Sequence, residues 1–395
     1  MKPYYFTPDI LDAMPEPIAE LYRTLELKLL KEIADRLKAA GQLNEVTVQS
    51  IRALRSHGIS TKEIKKAIAE TAQISEKELD KLLDDVVERN QAYYTDMIDL
   101  AKVTEPEELV NPSDIAAIEK QMRGELNNIS RSMGFLVDRG RTMLPPARVY
   151  QWALDRAVTE IQSGAISYNQ AISNATRHLA DSGLTVVDYE SGRHDHVDVA
   201  VRRAVMTAVS QISDKYTEQG AEYLGTRYYE ISAHAGARDV DGPNGWENHK
   251  KWQGKVYYES EHGEPDPLGK YPDLVNSTGF GYVDGLSGAN CRHRRYPWLE
   301  GVSERTYTDA QLENIDKPPF KYEGKTYTTY EATQKQRQIE NAIRHWKRRQ
   351  ATATNEKDKQ TAEIRIRILN QKYKVFSKAS GLRMQKERAN AYVKG

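Results

Sequence analysis

The sequence pattern changes near residue 222, and this change limits the fold class. Before it, apolar residues recur at intervals of three and four, the spacing of an amphipathic α-helix. After it, the chain is rich in Gly, Pro, Asn, Asp and aromatic residues, which favour turns and short strands. We therefore predict a predominantly α protein with an extended helical N-terminal half, a smaller loop-rich α+β domain and a basic helical C-terminal tail.

Four consecutive regions follow from this pattern. They are a helical N-terminal region (1–145), a helical middle region (146–221), an α+β domain with long loops (222–330) and a basic helical tail (331–395). The clearest apolar stripe, between Pro15 and Gly41, comprises Ile18, Leu21, Tyr22, Leu25, Leu29, Ile33 and Leu37. Long loops in an ordered domain usually carry function, which directs attention to residues 222–330.

Local patterns predict where several elements begin and turn. Strands are expected in "TRYYEIS" (226–232) and in "WQGKVYYE" (252–259). A hairpin is expected in "FKYEGKTYTTYE" (320–331), with its turn at Glu323 and Gly324. Three Ser/Thr-x-x-Glu capping boxes predict helix starts, namely Ser60 with Glu63, Ser75 with Glu78, and Thr328 with Glu331.

The net charge of zero is an average over an acidic N-terminal part and a basic C-terminal part. Residues 1–120 carry 16 Lys and Arg against 23 Asp and Glu, a net charge of −7, whereas residues 331–395 carry 17 against 6, a net charge of +11. Hydrophobic residues make up only 39% and charged residues 29%, which suggests long exposed helices and folding that depends partly on partners. No membrane span or signal peptide is recognisable, and the single cysteine excludes an intrachain disulfide.

The basic tail offers a candidate contact with a polyanion. Its densest stretch, "RHWKRR" (344–349), supplies Arg344, Lys347, Arg348 and Arg349 as candidate DNA-binding residues. Trp346 in the same stretch is able to stack on a base or on an arginine. The alternatives are an acidic protein surface as partner or a merely solvated helix face, and the charge excess alone does not separate them.

Four side chains of the loop-rich region are candidate metal ligands: His234, His249, Cys291 and His293. Zinc prefers tetrahedral sets of Cys and His, and one cysteine with three histidines is the only such set here. A loop suits the short Cys-x-His spacing better than a strand, which would hold both side chains on one face too rigidly to close a tetrahedron easily. No organic cofactor is expected, and a structural zinc ion is the candidate that these residues offer.

Two other interpretations of Cys291 stay open. Arg292, Arg294 and Arg295 would lower the pKa of the thiol and favour a reactive thiolate, although the sequence localises neither a base nor an oxyanion site. Alternatively, Cys291 is a small buried core residue and the histidines form buried hydrogen bonds. In that case the arginines pair with carboxylates such as Asp239, Asp241 and Asp284.

Several sequence blocks, in order, resemble the phage minor capsid protein 2 family. The blocks are "YYEISAHAGARDV", "NHKKWQGKVYY", "YPDLVNSTGFGYVDGLSGANCRHRRYPWLEGVS" and "YEATQKQRQIENAIRHWKR". That family is related to the Mu F-like head-morphogenesis proteins, which often contain an Asn-Cys-Arg-Cys element. Here the element is Asn290-Cys291-Arg292-His293, so a histidine replaces the second cysteine and leaves a cysteine-based role in doubt.

The resemblance implies a non-enzymatic structural minor head protein of a tailed phage. Its expected location is the virion, near the head and portal, after assembly in the bacterial host cytoplasm and in multiple copies. The implied partners are the portal protein, the major capsid protein and packaged double-stranded DNA, with roles in head assembly, genome packaging or DNA ejection. The alternative from another class is a metal- or thiol-dependent hydrolase or toxin-like domain in residues 222–330.

Overall fold

In the computed structural model, helices predominate and account for 62% of the structure, which confirms the predicted fold class. The described residues are 6–40, 61–104, 106, 108–162, 166–187, 192, 194–288 and 291–390. The helices are α1 (Pro8–Ala13), α2 (Glu16–Ala40), α3 (Thr61–Ala101), α4 (Pro112–Ser132), α5 (Pro146–Gln162), α6 (Tyr168–Ser182), α7 (Val197–Tyr223), α8 (His249–Trp252), α9 (Leu274–Thr278), α10 (Asp309–Glu313), α11 (Thr329–Ala351), α12 (Glu356–Ser380) and α13 (Lys386–Ala389). The strands are β1 (Gly134–Val137), β2 (Thr142–Leu144), β3 (Leu184–Val187), β4 (His194–His196), β5 (Tyr228–Ile231), β6 (Val256–Tyr258), β7 (Arg295–Trp298), β8 (Phe320–Tyr322) and β9 (Lys325–Tyr327).

The chain forms two compact units, each assembled from three segments. The first unit comprises Met1–Pro15, Leu79–Gly124 and Arg203–Lys335. The second unit comprises Glu16–Glu78, Glu125–Arg202 and Gln336–Gly395. The loop-rich region expected at 222–330 lies wholly within the first unit.

The second unit buries the apolar stripe of α2 against two further helices. Ile18, Leu25, Ile33 and Leu37 are at most 2% exposed, and α2 packs against α5 and α6. A four-stranded antiparallel sheet of order β2-β1-β3-β4 accompanies these helices. Before residue 222 the sequence predicts almost only helix, apart from the β-rich run "LTVVDYE" (184–190), and β3 lies in that run. The strands β1, β2 and β4 are not predicted, because three or four residues beside helical patterns show little alternation of their own.

The basic tail contributes α12 and the part of α11 from Gln336 onward to the second unit. Asn355 caps α12, because its side chain accepts a hydrogen bond from the Asp358 N–H, and Gly381 ends the helix in the left-handed conformation at φ 65°. Tyr373 and Phe376 of α12 are buried, and the Tyr373 hydroxyl donates to Glu340 of α11 at 2.6 Å. The side of α12 that carries Tyr373 and Phe376 therefore packs within the second unit.

The first unit contains the loop-rich region. Its antiparallel sheet has the order β6-β5-β7, and β8 and β9 form the predicted hairpin. Glu323 and Gly324 turn that hairpin with φ angles of 48° and 79°, the left-handed pair that a tight two-residue turn requires. The core beside the three-stranded sheet consists of Ala221, Tyr229, Ile231, Trp252, Tyr257, Leu274, Leu286 and Cys291.

The predicted capping boxes have different outcomes. Thr328 and Glu331 exchange the two expected hydrogen bonds, at 3.2 and 3.0 Å, so that box is confirmed. The helix start at Ser75 is wrong, because α3 runs unbroken through that position and Ser75 is only 1% exposed. Ser60 lies outside the described residues. Among the helices described, none is both long enough and apolar enough to span a bilayer.

Candidate functional site

Three of the four predicted ligands meet in the first unit. One potential ligand atom from each of His249, Cys291 and His293 lies within 4.8 Å of the other two. All three side chains are buried, with 3%, 7% and 1% exposure. His249 begins the short helix α8, whereas Cys291 and His293 lie in the segment that leads into β7. The cluster thus joins two parts of the chain about forty residues apart.

Pairing beyond the end of β5 positions the cysteine segment. The Ser232 N–H donates to the Arg294 carbonyl at 2.8 Å, and the Arg294 N–H donates to the Ser232 hydroxyl at 2.9 Å. Gln253, next to α8, links both sides, because its Oε1 accepts from the His234 N–H at 3.0 Å and faces His293 Nε2 at 3.1 Å. These contacts fix His293 between β5 and α8.

The loop before Cys291 supplies the partner of His249. His249 Nε2 lies 3.0 Å from the Asp284 carbonyl oxygen, which also accepts from Arg238 at 3.1 Å. The next residue must be small, because a Cβ on Gly285 would lie 2.0 Å from the carbonyl oxygen of Gly279. The glycine-rich sequence of this loop therefore permits the close backbone approach that places the Asp284 carbonyl.

His234 lies beside the cluster rather than within it. Its ring stacks on His293 with centroids 4.4 Å apart and an interplanar angle of 24°. Its Nδ1 lies 3.0 Å from its neighbour's carbonyl oxygen, that of Ala235. The structure therefore brings all four candidate ligands into one neighbourhood, but only the other three have converging ligand atoms.

Burial controls protonation at this site. Burial, reinforced by the Arg292 guanidinium, lowers the pKa of His234 to about 4, and burial likewise lowers the pKa of His249 to about 4. The pKa of fully buried His293 is also lowered, again mainly by burial. Neutral imidazoles are the form that binds metals. Burial raises the pKa of the Cys291 thiol and outweighs the lowering effect of Arg294, so the arginines do not produce the reactive thiolate that the sequence allowed.

The arginines around Cys291 have other partners than those we predicted. Arg294 donates to Ser210 at 2.9 Å and lies 3.9 Å from Asp214, and Arg295 contacts Glu218 at 3.1 Å. The predicted carboxylates pair elsewhere, with Asp239 near Lys250, Asp241 near Lys251, and Asp284 accepting from Trp246. Ser210, Asp214 and Glu218 are spaced by four on α7, and this polar stripe was a signal that we missed.

This arrangement limits the chemistry that the cluster can perform. A reactive thiol needs a lowered pKa and access for a substrate, and Cys291 has a raised pKa and is 7% exposed. The Trp252 ring further encloses the cluster, with its centroid 4.6 Å from the His249 ring and 4.8 Å from the His293 ring. The geometry supports coordination of an ion or core hydrogen bonding rather than attack on a substrate.

The four predicted DNA-binding side chains all make contacts within the second unit. Arg344 lies 3.3 Å from Asp198, and Arg348 lies 3.4 Å from Glu26 and donates to the Ala180 carbonyl at 2.9 Å. Lys347 donates to the Ala389 carbonyl at 2.9 Å, and Arg349 donates to Asp181 at 2.6 Å. These cations therefore have carboxylate or carbonyl partners of their own.

Comparison with known proteins identifies the family. The phage minor capsid protein 2 family matches residues 6–377. A "Structural protein" of Lactococcus phage LL-H is 25% identical over 338 residues, which cover 84% of this chain and 80% of the relative. No solved structure matches the chain significantly. The family match extends over nearly the whole length, through both compact units, and so the chain belongs to the phage minor capsid protein 2 family.

Proposed function

We propose that this chain is a structural component of the head of a tailed phage, bound to the portal protein or the major capsid protein through the exposed face of α12. The same helix supplies cations for contact with packaged double-stranded DNA. Membership of the minor capsid family and similarity to a phage structural protein support the structural role. The surface chemistry of α12 supports the choice of face.

The exposed face of α12 carries an unusual apolar stripe. Ile364, Ile368 and Val375 are 55%, 54% and 43% exposed. They are separated by four and seven residues, which places them on one side of the helix, opposite its buried side chains. Large exposed aliphatic residues in a row are typical of a surface that a partner covers. This stripe is the observation that carries the proposal.

Cations flank the stripe. From Ile364 through Lys386 the chain has seven Lys and Arg residues and no Asp or Glu. Arg367, Lys374 and Lys378, also spaced by seven and four, are exposed, and within the described part of the chain they form no ion pair. They therefore remain available to an acidic rim or to phosphates, unlike the paired cations of α11.

We expect the double variant Ile364→Gln/Ile368→Gln to bind the phage's portal or major capsid protein at least tenfold more weakly, because it removes the apolar centre of the contact. Surface plasmon resonance with purified portal and major capsid proteins measures the change. Ile74→Gln/Leu100→Gln is the matched control, since these residues of α3 are 49% and 57% exposed. Equal loss in both variants, or absence of the protein from virions by mass spectrometry, would contradict the proposal.

Contact between α12 and DNA predicts a specific change in the salt dependence of DNA affinity. In Arg367→Glu/Lys374→Glu/Lys378→Glu, the slope of log affinity against log salt should shrink by about 3, since each phosphate contact contributes about 0.9. Lys65→Glu/Lys77→Glu/Lys120→Glu makes the same charge change at exposed positions of α3 and α4 and should leave the slope nearly unchanged. Fluorescence anisotropy with a short duplex measures both slopes. An unchanged slope in the α12 variant would exclude this contact.

A further inference from the structure

We propose that His249, Cys291 and His293 bind one Zn²⁺ ion through His249 Nδ1, Cys291 Sγ and His293 Nδ1, with water in the fourth position. The ion ties the α8 segment to the segment that leads into β7. This proposal concerns the stability of the loop-rich region and is independent of how the protein binds its partners. Three observations support it.

The first observation is distance. Cys291 Sγ lies 3.6 Å from His293 Nδ1. A tetrahedral zinc ion with bonds of about 2.3 Å to sulfur and about 2.0 Å to nitrogen separates those two atoms by about 3.5 Å. The third ligand atom, from His249, completes a set whose members all lie within 4.8 Å of one another. A small inward movement of His249 therefore suffices to close the site.

The second observation is the outer hydrogen bond of each histidine. His249 Nε2 faces the Asp284 carbonyl at 3.0 Å, and His293 Nε2 faces Gln253 Oε1 at 3.1 Å. The orientation of the Gln253 amide is fixed, because the same oxygen accepts from the His234 N–H at 3.0 Å. Carbonyl oxygens only accept hydrogen bonds, so each Nε2 carries the proton and each Nδ1 keeps its lone pair.

This arrangement matches the way proteins orient metal-binding histidines, whose second nitrogen donates to a carbonyl or carboxylate oxygen. Gln253 and the Asp284 carbonyl are therefore positioning groups rather than ligands. Gln253 holds the Nδ1 lone pair of His293 3.6 Å from the thiol sulfur, and the Asp284 carbonyl leaves Nδ1 of His249 as its free nitrogen. When zinc binds, the Cys291 thiol proton is released and the sulfur binds as thiolate.

The third observation is the chemical character of the set. One thiolate and two imidazoles suit zinc, whereas magnesium and calcium require oxygen ligands. The site is buried and the His249 and His293 rings contact Trp252, so the ion links two loops within a core. Exchange with solvent should therefore be slow, and the zinc should persist through purification.

The test uses the full chain produced in zinc-containing medium. Elemental analysis should find one zinc ion per chain in the wild type and in His262→Ala, which alters an exposed histidine of the same unit. Cys291→Ser and His293→Ala should each reduce zinc at least tenfold. Zinc retained equally in both variants, or stoichiometric copper in place of zinc, would overturn the proposal.

Cobalt substitution of the wild type keeps the test valid if those variants do not fold. Cobalt added to zinc-depleted protein should produce visible d–d bands together with a near-ultraviolet sulfur-to-cobalt charge-transfer band, which only a thiolate ligand yields. Cys291 is the only cysteine, so that band identifies the ligand without any substitution. Saturating cobalt without this band would also overturn the proposal.

Discussion

Replacement of Asp198 by asparagine is expected to lower the free energy of unfolding of the second unit by about 3 kcal/mol, because it removes one partner from a buried charge network. Asp198 Oδ2 lies 3.3 Å from Arg344 and 3.5 Å from Arg23, and its side chain is only 11% exposed. Those guanidinium groups are 13% and 4% exposed, so water cannot replace the lost carboxylate. Urea unfolding followed by hydrogen exchange of α2 and α6 measures the loss.

The pH dependence of the same variant has a defined sign. Burial alone would raise the pKa of Asp198, but Arg344 and Arg23 outweigh it and the pKa lies below its usual value. The stabilisation is therefore complete above the unfolded pKa of about 4 and is lost as pH falls through the folded pKa. The difference between wild type and Asp198→Asn should be full at neutral pH and shrink in acid. A difference that grows on acidification would contradict this assignment.

Asp35→Asn is the matched control. Asp35 is 59% exposed and pairs with Lys31 at 2.9 Å one helical turn away. Exposed pairs of this kind contribute about 0.5 kcal/mol or less. A loss as large as that of Asp198→Asn would show that the carboxylate itself, rather than its burial between arginines, is responsible.

Arg295→Ala should destabilise the first unit by about 3 kcal/mol, since it empties a buried site and removes the guanidinium group that contacts two carboxylates. The Arg295 side chain is 1% exposed and contacts Glu218 at 3.1 Å and Glu259 at 3.2 Å. Its guanidinium carbon lies 4.1 Å from the Phe280 ring centroid and 4.9 Å from that of Tyr229. Both cation–π contacts are lost with the side chain.

Two further variants separate the contribution of the Arg295 charge from that of its shape. Arg295→Lys keeps the positive charge but not the planar fork, so we expect an intermediate loss. Arg89→Ala removes an exposed pair with Asp85, at 35% and 44% exposure, and should cost about 0.5 kcal/mol or less. Urea unfolding monitored by near-ultraviolet circular dichroism compares the three variants. Arg295→Lys as stable as the wild type would show that charge alone matters here.

The elements that could be predicted are those whose pattern is long or chemically specific. The stripe of α2 runs from Ile18 to Leu37, more than five helical turns, and the hairpin of β8 and β9 has Glu323 and Gly324 at its turn. The strands β1, β2, β4 and β7 have only three or four residues, and distant pairing completes their sheets, because β1 pairs with β3 and β7 pairs with β5. The helix start predicted at Ser75 is wrong because a capping box is a local signal. Its residues also occur inside an uninterrupted helix, where no free N–H groups need a cap.

For the candidate metal centre, the sequence likewise predicted the ligand residues but not the groups that orient them. The residue types Cys and His pointed to His249, Cys291 and His293, and the fold brings these side chains together. The groups that orient them are an ordinary glutamine, Gln253, and the backbone carbonyl of Asp284. A backbone carbonyl has no sequence signature, and the separation of His249 from Asp284 by 35 residues hides their contact.

The sequence by itself determined the helical character, the acidic and basic ends and the ordered blocks that resemble the family, because these depend on short-range periodicity and composition. Only the tertiary structure decided which cations are available. Arg348 and Arg367 belong to the same basic tail, yet Arg348 is buried against Glu26 whereas Arg367 is exposed without an ion pair among the described residues. The physical reason is that pairing depends on carboxylates hundreds of residues distant, which chain folding alone brings near.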